Sequence, residues 1–192
     1  MLLPTTYLGP ISWWQALTQA PSVRISTAEH YVKQTTRNRC RILMPDGPQD
    51  LVVPVCAAPN HTPVRDIRIS DHGQWRHHHW SALRTAYGKS PFFEYYADDF
   101  APFYERRYDF LIDFNEGLRR LVAELLDVDT PVSLATTFEP LSPLPQPDVR
   151  PYYQVFAQRL GFQADLSIAD LLFNLGPEGL LYLTNRDRKS VV

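Results

Sequence analysis

Pro45-Asp46-Gly47-Pro48 lies between two runs in which every second residue is apolar. Cys40, Ile42 and Met44 alternate with Arg39, Arg41 and Leu43 on the way in, and Leu51, Val53 and Val55 alternate on the way out. A period of two places each set on one face of a strand. Glycine takes positive φ without steric cost and proline presets its own φ, so the four residues between the runs supply a turn. Residues 39–55 therefore predict a β-hairpin. Pro54 has no N–H to give a ladder, which places the end of the returning strand at a sheet edge.

The segments around the hairpin set its context. Residues 2–6 read as a short buried strand, and Tyr7-Leu8-Gly9-Pro10 as a turn. Ser12 is placed to cap a helix over 13–19, and 23–26 reads as a second strand. A strand, turn, helix and strand in that order suggest an α/β unit. Ile67 and Ile69 flank Arg68 in a predicted strand over 64–70. Trp80, Leu83 and Tyr87 stand at helical spacing in a helix starting near Trp75, and Ser90-Pro91 opens another over 91–103. Leu111, Phe114, Leu118, Leu121, Val122 and Leu125 form one apolar stripe of a helix over 109–126, with Asp109 as its cap.

Further on, 132–137 reads as a strand, and five prolines between 140 and 151 mark a stiff surface connector. Residues 152–156 look extended. Ser167 opens a helix that Gly176-Pro177 closes, and 180–183 is a last strand. The expected fold is a single α/β domain over 1–183, with a mixed central sheet flanked by helices, followed by a polar tail from 184. The alternative is an α+β fold with an antiparallel sheet.

Composition narrows the function classes. Apolar residues make up 44% of the 192, enough for a real core. A net charge of −2 and a pI near 6.3 argue against a dedicated nucleic-acid binder, which usually carries a basic excess. They leave room for a local basic pocket that takes a small anion. The N-terminus has no basic start and no long apolar run, so neither a signal peptide nor a membrane span is expected, and a cytoplasmic location follows. Cys40 and Cys56 lie in apolar segments and read as two free core thiols. Without a secretory route, the triplet Asn60-His61-Thr62 reads as a chance match to the glycosylation signal.

The densest chemistry lies in residues 29–41, where Lys33, Arg37, Arg39 and Arg41 accompany His30, Tyr31 and Asn38. Guanidinium forks match phosphate and carboxylate oxygens, and a lysine adds a point charge. A solvated strand face guarded by charge is the competing reading. Three consecutive histidines, His77 to His79, point about 100° apart on a helix and cannot share one tetrahedral metal ion, so no metal site is expected. A single imidazole there can still move a proton. No Gly-x-Gly-x-x-Gly, P-loop or Gly-x-Ser-x-Gly occurs, so no cofactor is expected and group transfer is preferred over redox chemistry.

Several segments in order resemble one known family. They include Tyr7-Leu8-Gly9-Pro10, Tyr31-x-Lys33 with Arg37-Asn38-Arg39, and Leu51-x-Val53-Pro54-Val55. His79-Trp80-x-x-Leu83-x-x-Ala86-Tyr87, Ser90-Pro91-Phe92-Phe93 and Leu166-Ser167-Ile168-x-Asp170-Leu171 complete the set. Together they are similar to the WbqC-like family of bacterial proteins, over nearly the whole chain. Thr5-Thr6-Tyr7 departs from the Gln-Pro-x-Tyr start of many members by lacking the Gln. The resemblance implies a role connected with surface polysaccharide or nucleotide sugars.

The resulting expectation is a site in which His79 and Lys33 do acid/base work. Tyr7, Tyr31, Arg37, Asn38 and Arg39 would bind a small anionic or nucleotide-linked ligand in one cleft. No nucleic-acid or membrane partner is expected, and self-association into a homo-oligomer is compatible with this reading. The alternative is a non-catalytic ligand-binding or assembly protein.

Overall fold

A computed structural model describes residues 1–185; the expected polar tail falls mostly outside them. The first three strands are β1 (Leu2–Pro4), β2 (Val23–Ser26) and β3 (Arg39–Met44), followed by β4 (Gly47–Val52) and β5 (Val132–Ala135). β1, β2 and β5 form a parallel sheet in the order β1-β2-β5, with Leu2 opposite Arg24 and Val23 opposite Val132. β3 and β4 form the expected hairpin, antiparallel from Arg39 opposite Val52 to Met44 opposite Gly47. Gly47 has φ 128°, in the region the turn chemistry anticipates. The fold is α/β, with parallel and antiparallel strands as expected but in two separate sheets.

Helices surround the strands. They are α1 (Ile11–Gln19), α2 (Trp75–Tyr87), α3 (Phe93–Glu105), α4 (Leu111–Leu125), α5 (Ala157–Leu160), α6 (Ile168–Leu175) and α7 (Gly179–Thr184). Leu111, Phe114, Leu118 and Val122 of α4 are all buried, which bears out the apolar stripe. They join Leu3, Leu17, Ile25, Leu83, Phe100 and Phe173 in one core. None of the described helices is long and apolar enough to cross a membrane.

The proline-rich segment is tied down along its length. Ser142 brackets the outer edge of β1, its N–H donating to the Leu2 carbonyl and its Oγ accepting from the Leu2 N–H, both at 2.9 Å. Gln15 and Asp148 exchange two further bonds at 2.8 and 3.1 Å. The segment thus covers an edge that would otherwise present unpaired backbone.

Four local expectations are corrected. Residues 64–70 form no strand. Val64–Asp66 is a 3-10 turn, and the following residues make single bridges to two different neighbours, Ile69 to Val55 and Arg68 to Phe110. With no common neighbour, a ladder cannot propagate. Residues 180–183 belong to α7, where Leu183 packs into the core and its carbonyl accepts from Gln19 Nε2 at 3.2 Å. Ser12 lies inside α1 rather than capping it. Its N–H and Oγ instead donate to Asp165 at 2.7 and 2.9 Å, a cap supplied from 153 residues away. Phe110, not Asp109, precedes α4, because the Asp109 carbonyl is engaged by the Ile69 N–H. Ser167 caps α6 as expected, accepting from the Ala169 N–H at 3.2 Å.

Candidate functional site

In an open parallel sheet the crevice beyond the carboxyl ends of the strands is where ligands bind. Here those ends are continued by residues 5–7 after β1 and 27–38 after β2. The second segment returns as β3 and is anchored by buried polar groups. Arg37 and Glu29, both buried, form a bidentate pair, with Arg37 Nε donating to Glu29 Oε1 at 3.1 Å and Nη2 to Oε2. Arg37 Nη1 also donates to Thr35 Oγ1 at 3.1 Å. Asn115 on α4 reaches across, its Nδ2 donating to the Arg37 carbonyl at 2.8 Å and to Thr5 Oγ1 at 3.2 Å. Asn38 Nδ2 donates to the Val53 carbonyl at 2.9 Å, and the Val53 N–H donates back to the Asn38 carbonyl at 2.8 Å. These bonds fix both ends of the segment, the Tyr31 N–H donates to the Thr62 carbonyl at 2.9 Å, and 32–34 are left projecting and exposed, with Gln34 at φ 59°.

A groove of about 940 Å³ lies between that projection, the end of β4 and residues 55–61. Lys33 and Arg39 supply its positive charge, and no Asp or Glu lines it. Tyr31 forms part of its wall; burial pushes the phenol pKa up, while the nearby Arg37 and Arg39 guanidiniums pull it the other way. His30 and His61 meet on its rim with their Nδ1 atoms 3.2 Å apart. The far side of Arg39 donates to Asp50 at 3.2 Å, and Arg41 donates to the same carboxylate at 2.8 Å. Arg41 first, then Arg39, holds Asp50 below the usual carboxylate range.

Behind the hairpin is a second, buried polar cluster. The Tyr7 hydroxyl lies 2.9 Å from His79 Nδ1 and 3.0 Å from the Tyr104 hydroxyl, and the Tyr7 and His79 rings stack at 5.6 Å. Burial pushes the His79 pKa down to about 4, against an opposing hydrogen bond with the Val52 backbone, so its imidazole is neutral near pH 7. Burial pushes Tyr7, Tyr104 and the Cys40 thiol the other way, up. All four groups are therefore uncharged. They are suited to holding the 7–10 turn against α2 and α3 rather than to nucleophilic attack.

Of the seven residues singled out from sequence, Tyr31, Lys33, Asn38 and Arg39 share the groove. Tyr7, Arg37 and His79 stand behind it, buried. Cys40 is a free core thiol as read, whereas Cys56 is a free thiol that is exposed and lines the groove. Sequence reasoning did not place Glu29, Asn115 or Tyr104 among the site residues. Glu29 was findable as the acid at the head of a basic run, but Asn115 and Tyr104 carry no local signal because their partners lie 78 and 97 residues away. Among the described residues, no cluster of three or more His, Cys, Asp or Glu could hold a metal ion.

The model of the WbqC-like protein family matches residues 5–143. An uncharacterized protein of Mycobacterium tuberculosis (strain ATCC 25618 / H37Rv), Rv1507c, is 29% identical over 193 residues, covering 80% of this chain and 83% of its own. No solved structure matches the chain. The family match begins just after β1 and runs through α1, β2, the groove, the hairpin, α2 to α4 and β5, and on that extent the chain belongs to the WbqC-like protein family.

Proposed function

We propose that this protein binds a small anionic ligand of the nucleotide-sugar class in the groove and transfers a group on it, within bacterial surface-polysaccharide or nucleotide-sugar metabolism. The observation that carries the reading is the groove's charge: Lys33 and Arg39 face a volume of about 940 Å³ whose lining contains no carboxylate. That volume falls within the roughly 300–1,000 Å³ of small-molecule sites. Arg39 shares Asp50 with Arg41, Lys33 has no carboxylate partner among the described residues, and an anion in the groove would accept charge-assisted hydrogen bonds from both. In this reading Lys33 is the catalytic group, Tyr31, Asn38 and Arg39 bind, and Arg37, Tyr7 and His79 are positioning residues that hold the walls.

A second reading, a binding protein without chemistry, is favoured by one observation: the His79 imidazole is buried against the Tyr7 hydroxyl and does not line the groove. Both readings require the groove to take an anion. Titration calorimetry with UDP, GDP and dTDP tests that directly. Lys33→Ala, which removes an exposed side chain, is expected to weaken the best of them by about tenfold, the equivalent of one lost charged hydrogen bond. No heat with any nucleotide, or equal affinity in parent and variant, sinks the anion reading. Turnover of a bound nucleotide sugar then separates enzyme from binding protein.

A further inference from the structure

The groove has a neighbour. A second cavity of about 470 Å³ opens on the other side of Arg39, between the hairpin, residues 34–36 and the turn before α6. Gln34 and Arg39 line both spaces, so the two adjoin across a wall of two side chains. Their chemistry differs. The groove lining holds Lys33 and Arg39 with no acid. In the smaller cavity Arg39 and Arg41 are matched by Asp50 and Asp165. Asp50 is already engaged by both arginines, and Asp165 by Ser12. The smaller space therefore has no net charge to offer a ligand.

It offers hydrogen bonds of both polarities instead. The Gln34 amide and the Thr36 hydroxyl make no side-chain hydrogen bond among the described residues, and both line the cavity. An amide and a hydroxyl each present a donor and an acceptor, and ion-paired carboxylates retain lone pairs that accept further O–H groups. A ligand that is uncharged and carries many hydroxyls, each both donor and acceptor, matches such a wall. An anion does not, because it would meet two carboxylates.

We propose that the smaller cavity is the sugar subsite of the ligand whose anionic part occupies the groove, with the phosphates passing over Arg39 between the two. This rests on the anion reading of the groove. It adds that the ligand is a conjugate, that its sugar is uncharged, and that Gln34 and Thr36 face that sugar.

The test compares nucleotides with their sugar conjugates by titration calorimetry on the full chain: UDP with UDP-glucose and UDP-N-acetylglucosamine, GDP with GDP-mannose, and dTDP with dTDP-glucose. Three proteins are used: the parent, Thr36→Trp, which fills the smaller cavity, and Lys33→Ala. At least one conjugate is expected to bind the parent about tenfold tighter than its nucleotide, the equivalent of about 1.4 kcal/mol. Thr36→Trp should erase that advantage and leave the nucleotide's affinity unchanged. Thr36→Val, which keeps the size and removes the hydroxyl, should erase part of it and serves if the tryptophan variant misfolds. Conjugates that bind no tighter than nucleotides, or an advantage that survives Thr36→Trp, overturns the subsite while leaving the groove reading intact. A conjugate whose binding responds to Thr36→Trp and not to Lys33→Ala overturns the groove reading and, with it, the ligand spanning both spaces. No binding by any probe overturns both.

Discussion

Arg37→Ala is the perturbation that most sharply separates a structural guanidinium from a ligand-binding one. The Arg37 side chain is 10% exposed and that of Glu29 6%, and the guanidinium fork is closed on the carboxylate with a third bond to Thr35. Deleting the arginine leaves a carboxylate in the interior with no cation. Breaking a buried pair from one side costs about 3–5 kcal/mol, most of it the desolvation of the charge left behind. For a chain of this size each kcal/mol moves Tm by about 2–4 °C, so the variant should melt about 6–20 °C below the parent. Urea unfolding followed by circular dichroism at pH 7 gives the free energy, and a melt gives the temperature. A double variant, Arg37→Met with Glu29→Leu, removes both charges and should be more stable than Arg37→Ala by at least about 1 kcal/mol. Arg37→Ala within about 1 kcal/mol of the parent, or a double variant worse than the single one, refutes the buried pair. Arg37 would then be a solvated fork available to a ligand, as the sequence suggested.

Two buried titrations oppose one another and can be separated. The His79 pKa falls from 6.5 to about 4 on folding, so its contribution is present above pH 6.5 and lost as pH falls toward 4, a total of about 3 kcal/mol. Asp170 rises from 3.8 to about 6, mainly because it is buried, so its contribution is present below 3.8 and lost as pH rises through 6, again about 3 kcal/mol. Relative to the parent, His79→Gln should gain stability between pH 7 and 4 and Asp170→Asn should lose it; urea midpoints that track the parent in both variants contradict the assignment. Gly9→Ala places a Cβ 2.4 Å from Thr6 Oγ1 and 2.9 Å from Thr6 Cβ and should destabilise by about 1–3 kcal/mol, with Thr6→Ala in the same chain restoring part of it. A Gly9→Ala melt equal to the parent's would show that the turn has slack.

The parts of the fold that were legible are those whose cause is local. Pro45-Asp46-Gly47-Pro48 dictates a reversal whatever surrounds it, and the α4 stripe and the Ser167 cap depend on residues within a turn or two. What failed depends on distant partners. Ile67 and Ile69 alternate like strand residues because both are buried, yet the backbone between them bonds to α4's approach on one side and residue 55 on the other. Ser12 has the right chemistry for a cap, but Asp165 occupies it. In the site, Lys33 and Arg39 lie where a basic run suggested, whereas Arg37 in the same run is turned inward by an acid eight residues earlier. Sequence alone gives the charge of a segment but not which of its members face water.

The turn before α6 is stitched to the opening of the chain. The Ile11 N–H donates to the Leu166 carbonyl at 3.0 Å, the Ile168 N–H to the Gly9 carbonyl at 2.9 Å, and the Ser167 N–H to the Arg41 carbonyl at 2.8 Å. On the ribosome these partners emerge far apart. Residue 165 follows residue 61, the last of the groove lining, by 104 positions, a delay of roughly 5–20 s at 5–20 residues per second. For that interval the groove's side chains are all synthesised while the smaller cavity lacks its Asp165–Ser167 wall, and Leu8, Ile11 and Trp14 lack part of their cover. A product terminated just short of residue 165 would stay in that state permanently, displaying an apolar opening segment to chaperones and proteases instead of a finished site.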